Sequence, residues 1–156
     1  MANQFRHQHL RRLDRIWSDA PIAFITCCVA DRKTLLAHHY VSEIFNEVWD
    51  NCESLYRWEV GSYVIMPDHV HFFCAGVGCT KPLATFVGKW KEWTAKNLAR
   101  RHQYPRTLWQ PQFFDHVMRS DESYTEKWMY VRSNPVRAGL VSDPESWPYY
   151  GTRHIL

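Results

Sequence analysis

Apolar positions along this chain change their period several times, and each change marks an element. Ile22 to Val29, IAFITCCV, is an apolar, β-branched run bounded by Pro21 and by Asp31-Arg32, which predicts a central strand. From Val41 to Tyr56 the spacing lengthens. Ile44, Phe45, Val48, Cys52 and Leu55 recur every three or four residues, predicting a helix with Ser42 as its cap. Trp58 to Met66 alternates into a second strand and His69 to Ala75 forms a third. Pro67-Asp68 turns between them, because proline cannot donate to a ladder. Thr80 to His102 predicts a long amphipathic helix, with Pro82 in its first turn and Leu83, Phe86, Val87, Trp90, Thr94 and Leu98 as one stripe. Phe113 to Met118 predicts a fourth, short strand. A last helix starts at Ser120-Asp121-Glu122, runs through Tyr130 and ends near Asn134, since the residue before Pro135 is disfavoured in the helical region. The order β-α-β-β-α-β-α predicts an α+β sandwich, most simply a ferredoxin-like antiparallel sheet with helices packed mainly on one face.

Composition sets the scale of that core. With 156 residues, 46% of them hydrophobic and 15% aromatic, one domain over 1–156 is expected, its core about 11–150 and its basic N-terminal arm 1–20. The arm has no apolar run of signal-peptide type behind its charges and no segment approaches a membrane span, so a cytoplasmic location is expected. The five cysteines are odd in number and lack C-x-x-C spacing, which predicts reduced thiols rather than a disulfide framework or a zinc ribbon. A net charge of +3 is only mildly basic, yet Arg6, Arg11, Arg12 and Arg15 cluster at one end and Lys89, Lys91, Lys96, Arg100 and Arg101 in another segment. Such clusters suit a polyanionic partner, and they suit solvated helix faces equally well.

The candidate chemistry begins at Tyr63 to Cys74, YVIMPDHVHFFC, where two histidines interrupt an apolar strand. Alternate strand residues share a face, so His69 and His71 point the same way and Val70 points opposite, toward the core. Two imidazoles can hold one divalent ion and leave positions open for substrate; they can also be two hydrogen-bonded sheet residues. Further along, Tyr130 and Asn134 lie four residues apart on a helical face, with Lys127 one turn earlier. A phenol is a nucleophile, a carboxamide oxygen a metal ligand and an ammonium a phosphate partner. A core tyrosine, a helix-end asparagine before proline and a solvated lysine fit the same spacing.

Several linked motifs occur in one order: LWQPQFFDHVMRSDESY and YVRSNPVRAGLV after MPDHVHFF, then SWPYY. Together they resemble the REP-associated tyrosine transposases, a branch of the single-tyrosine transposases within the His-hydrophobe-His (HUH) nuclease superfamily. The resemblance runs from about Arg11 to Tyr150. It implies that His69, His71 and Asn134 bind a divalent metal, Mg²⁺ or Mn²⁺, and that Tyr130 is the nucleophile. Insertion-sequence relatives commonly have Gln at the position of Asn134, whereas Asn before Pro is similar to the REP-associated branch. That branch implies a monomer using its tyrosine in cis, and a substrate of single-stranded DNA folded as a hairpin beside a short guide sequence. The reaction implied is cleavage and rejoining through a 5′-phosphotyrosine. Candidate DNA contacts are Arg11, Arg12, Arg15, Lys89, Lys96, Arg100 and Lys127, with Trp93 as a stacking platform and His116 beside the fourth strand.

Three rival readings remain at this level. A non-catalytic nucleic-acid-binding protein of ferredoxin-like fold is one, although neither signature of RNA-recognition domains is present. A structural zinc site from His69, His71, Cys74 and Cys79 is another, and a regular strand would turn Cys74 to the wrong face. A hydrolytic nuclease that uses water is the third.

Overall fold

In a computed structural model that describes residues 20–119 and 122–156, strand β1 (Ile22–Cys28) leads into helix α1 (His39–Tyr56), the hairpin β2 (Trp58–Ile65) and β3 (His69–Gly76), and helix α2 (Leu83–His102). Strand β4 (Phe114–Val117), helix α3 (Tyr124–Arg132), a one-turn helix α4 (Asn134–Arg137) and a short strand β5 (Tyr150–Thr152) complete the chain. The sheet order is β4-β1-β3-β2-β5 with every neighbour antiparallel. The first four strands therefore have the ferredoxin-like arrangement, and β5 extends its β2 edge. Arg11, Arg12 and Arg15 of the basic arm lie outside the described residues, as do Ser120 and Asp121. Among the described residues no helix is long and apolar enough to cross a membrane.

The boundaries differ from the sequence expectation for local reasons. Helix α1 begins two residues before Val41, after an extended His38 that makes no side-chain cap bond, so Ser42 is inside the helix. Helix α3 is capped by Ser123, whose hydroxyl accepts from the Glu126 N–H, a serine-to-glutamate spacing that places the start after Ser120. It stops at Arg132, and the chain bends at Ser133 before Asn134 and Pro135 open α4. Strand β5 has only three residues within the SWPYYGT segment, too few for a period to show.

Alternation divides the sheet into two unlike faces. Ala23, Ile25 and Cys27 of β1, Val60 and Ile65 of β2, and Val70, Phe72 and Cys74 of β3 meet α1 and α2 in the larger core. Its centre is aromatic: Trp90 stacks on Trp49 with ring centroids 5.0 Å apart and also meets Phe45, Phe72 and Trp109. The other face carries Phe24, Val64, Met66 and Phe73, and is covered by Val131 of α3 and by Trp147. Two helices thus lie on one face and the third on the other.

Helix α3 is fixed to that second face by an irregularity in β2. The β2–β3 register shifts between Val60 and Tyr63, and the Ser62 N–H donates to the Tyr124 hydroxyl at 3.1 Å. A Cβ on Gly61 would lie 2.7 Å from Leu156 Cδ1 and 2.9 Å from that hydroxyl, so a side chain there would push both aside. Tyr124 and Trp128 meet Phe73 edge-on, Val131 is buried, and Arg132 lies over the Tyr150 ring, donating to its hydroxyl at 2.9 Å. Residues 124, 128 and 131 form the packed stripe of α3.

Trp90→Ala removes a fully buried ring touching four other aromatic rings. It should lower unfolding stability by about 3–5 kcal/mol, read as a drop in the urea midpoint with little change in slope. Leu55→Ala, at a position that is 65% exposed, should change stability by less than about 0.5 kcal/mol.

Candidate active site

The turn before β3 sets up the histidine pair. Met66 N–H donates to the His69 carbonyl, so Pro67 and Asp68 are the two central residues of a tight turn and His69 opens the strand. In register, Cys28 lies opposite His69 and Thr26 opposite His71. Both histidines therefore project from the sheet face that α3 covers, while Cys74 is buried on the far face with Phe72. That placement removes Cys74 from any zinc site with the histidines.

Their side chains converge. The two Nε2 atoms lie 3.1 Å apart, and each Nδ1 has its own partner: Asp68 Oδ1 at 2.7 Å from His69, and the Thr26 hydroxyl at 2.7 Å from His71. Burial first, then the charges of His69, Lys127, Arg137 and Arg32, pushes His71 down to about 3. Burial also lowers His69, against the upward pull of Asp68. Both rings are therefore neutral at neutral pH, and the hydrogen-bond pattern fixes their tautomers. The Asp68 carboxylate can only accept, so His69 donates from Nδ1 and offers a lone pair at Nε2. His71 fills it with its own Nε2–H, and its Nδ1 accepts from the Thr26 hydroxyl.

Two metal–nitrogen bonds of about 2.1 Å meeting near a right angle would span the same 3.1 Å separation. The donor set thus fits a divalent ion standing where the shared proton now lies. His71 would then carry its proton on Nδ1 and donate it to Thr26, a reversal that a hydroxyl can serve and a carboxylate could not. Among the described residues no three His, Cys, Asp or Glu side chains come together as a metal site, so a third ligand drawn from those residues would be of another type.

Asp68 is itself held. Burial would raise its carboxyl, but the bond from His69 and the Arg32 guanidinium, whose Nε donates at 2.9 Å, keep it below the usual carboxylate range. Asp31 and Arg32 both adopt left-handed backbone, at φ 56° and 54°, which turns Arg32 back to reach Asp68 and the Cys28 sulfur. Two consecutive non-glycine residues there store strain, at a cost on the order of 1–3 kcal/mol each. Asp68 orients His69 as an outer-shell carboxylate orients a metal-ligating imidazole.

Helix α3 carries the second group on a stripe that flanks its packed residues. Lys127 lies over the Phe24 ring at 4.9 Å, and Phe24 stacks on His71 with centroids 5.2 Å apart. Tyr130 is 65% exposed. Arg137 lies on its ring, with Cζ 3.9 Å from the centroid, donates to the Tyr130 carbonyl at 2.7 Å and also donates to Asn134 Oδ1. His116 stands opposite Phe24 in the β1–β4 register, on this same face, with Nε2 bonded to Glu122 at 2.9 Å.

The remaining candidates lie elsewhere. Lys89, Trp93, Lys96 and Arg100 sit on the outer side of α2, which covers the opposite sheet face, and Glu92 bridges Lys89 and Lys96. Trp93 is half-exposed, with Lys96 Nζ 4.9 Å from its ring. The structure does not bring this group to the histidines. Sequence reasoning missed Thr26, Arg32 and Arg137 and read Asp68 only as a turn residue. Arg137 alone had a local signal, standing three and seven residues after Asn134 and Tyr130.

Comparison with known proteins bears on the family and the fold. A REP-associated tyrosine transposase of Escherichia coli is 28% identical over 94 residues, 59% of this chain; the chain spans about half of that relative, 53% of its length. A Haemophilus influenzae protein assigned to the same group is 25% identical over 144 residues, covering 86% of this chain and 81% of the relative. In fold the chain is similar to a REP-associated tyrosine transposase solved bound to a REP hairpin, with a TM-score of 0.72 at 20% identity over 87% of this chain and 79% of that one. The model of the family described as "Transposase IS200 like" matches residues 21–133, from β1 through the helix that bears Tyr130, and the chain belongs to that family of transposases.

Proposed function

We propose that this transposase cleaves and rejoins single-stranded DNA through a covalent link at Tyr130, with His69, His71 and Asn134 as the ligands of a divalent metal, Mg²⁺ or Mn²⁺. The observation that carries this reading is the convergence of two neutral imidazoles, Nε2 to Nε2 at 3.1 Å, on the face covered by the tyrosine-bearing helix. When bound, the ion would polarise the scissile phosphate and stabilise charge on the leaving oxygen. The chain's own groups do the rest. Tyr130 Oη attacks phosphorus, the bond to the 3′ oxygen breaks, and the phenol proton is carried, in net terms, by the released 3′-hydroxyl. The product is a 5′-phosphotyrosine, and attack by a 3′-hydroxyl reverses the step. One phosphodiester replaces another, so no nucleotide cofactor enters the balance.

Lys127 is suited to a phosphate as a point charge beside His71, and the exposed phenol can reach a strand lying along the face. The fold's likeness to a protein solved with a REP hairpin supports a structured single strand as the substrate. A monomer acting in cis is supported by the docking of α3 on its own sheet through Tyr124, Trp128 and Val131.

Incubation with Mn²⁺ and a pool of labelled hairpin DNAs should give a denaturation-resistant protein–DNA band with the wild type and none with Tyr130→Phe. Cleavage by both proteins without a band would mean a water nucleophile, and binding without cleavage a purely binding protein. Mixing Tyr130→Phe with His71→Ala should leave the band absent, whereas its return would mean that helices are exchanged between two copies.

The depressed histidines also set the pH range of metal binding. An ordinary histidine pair loses metal to protons as pH falls through about 6.5. Here both rings stay neutral below that value, so Mn²⁺ affinity measured by calorimetry should fall less than about threefold between pH ~7.5 and ~6.

A further inference from the structure

Arg137 has no part in the chemistry just described, yet it touches both groups that α3 and α4 contribute. Its Cζ lies over the Tyr130 ring, 3.9 Å from the centroid, Nη1 donates to the Tyr130 carbonyl at 2.7 Å, and Nη2 donates to Asn134 Oδ1. A guanidinium only donates, so it forces the oxygen and not the nitrogen of the Asn134 carboxamide to face it. That oxygen has a second lone pair, free to face another electrophile while the first is held. At Ser133 the helix is interrupted, its N–H turning to the Tyr130 carbonyl, so Tyr130 and Asn134 stand on either side of a break.

We propose that Arg137 is a positioning residue that joins nucleophile to ligand: one rigid planar cation fixes the Tyr130 ring and the Asn134 carboxamide as a single unit across the break between α3 and α4. The inference rests on the reading of Tyr130 and Asn134 given above. Its distinctive demand is for shape rather than charge. A lysine at this position keeps the charge but cannot lie on the ring and bond two oxygens at once.

The test uses Arg137→Lys alone and with Asn134→Ala. At saturating Mn²⁺ and hairpin DNA, the rate of adduct formation by Arg137→Lys should fall about 10–100-fold, with the DNA Kd changed less than about threefold. Mn²⁺ affinity, read from the free-ion electron paramagnetic resonance signal without DNA, should weaken about tenfold in Arg137→Lys. In the Asn134→Ala background, the same change should leave Mn²⁺ affinity unaltered, because the coupling runs through that side chain. Wild-type rate and Mn²⁺ affinity in Arg137→Lys would overturn the proposal and leave charge as the function of Arg137. A raised DNA Kd with an unchanged maximal rate would overturn it in favour of a phosphate contact. A lowered melting temperature alone would reduce Arg137 to a helix-end stabiliser. Absence of any adduct or Mn²⁺ binding in the wild type would overturn the reading of Tyr130 and Asn134, and this proposal with it.

Discussion

One line of hydrogen bonds holds the centre of this molecule: Arg32 donates to Asp68, which accepts from His69, which accepts from His71, which accepts from Thr26. Each link determines the next. Asp68 selects the tautomer of His69, His69 that of His71, and a hydroxyl at the far end is able to turn either way. Burial keeps both rings neutral, so the line carries no net positive charge where the proposed divalent cation would be held. Its first member stands on backbone that an isolated peptide would avoid, and the bonds to Asp68 and Cys28 offset that strain.

The sheet serves this line by being asymmetric. Its larger face is filled by α1, α2 and a cluster of tryptophan and phenylalanine, which supplies most of the buried apolar area. The smaller face holds the polar groups, and among the described residues α3, the Trp147 segment and Leu156 pack against it. A polar line could not be accommodated on the first face, where every lone pair would have to be satisfied inside a packed aromatic core. On the second face it sits at the edge of apolar cover, partly buried and still reachable from solvent.

Much of this was legible in the sequence, and the gaps follow a rule. Period-two and period-3.6 patterns located four strands and three helices, because burial on one face imposes those periods directly. The H-x-H pair was visible as a spacing within one strand, and the tyrosine and asparagine as a four-residue spacing that the structure divides between α3 and α4. Strand β5 is too short to show a period, and the Ser123 cap lay behind an equally plausible start at Ser120. Thr26, Arg32 and Asp68 escaped for a different reason. Their partners are set by register across β1 and β3, and register depends on the whole sheet. The outer face of α2 differs in kind, since a run of charge beside a tryptophan says nothing about which side of the sheet it will occupy, and here that side is opposite the histidines.

The exposure of Tyr130 separates persistence from activity. Helix α3 is held by Tyr124, Trp128, Val131 and Arg132, none of which is the proposed nucleophile, and the ring of Tyr130 lies outside both cores. Selection for a folded chain therefore exerts little pressure on the phenol that the proposed chemistry needs. A gene of this kind can lose its reaction in a single nucleotide change and keep its shape, so inert descendants remain available for other uses of the same surface.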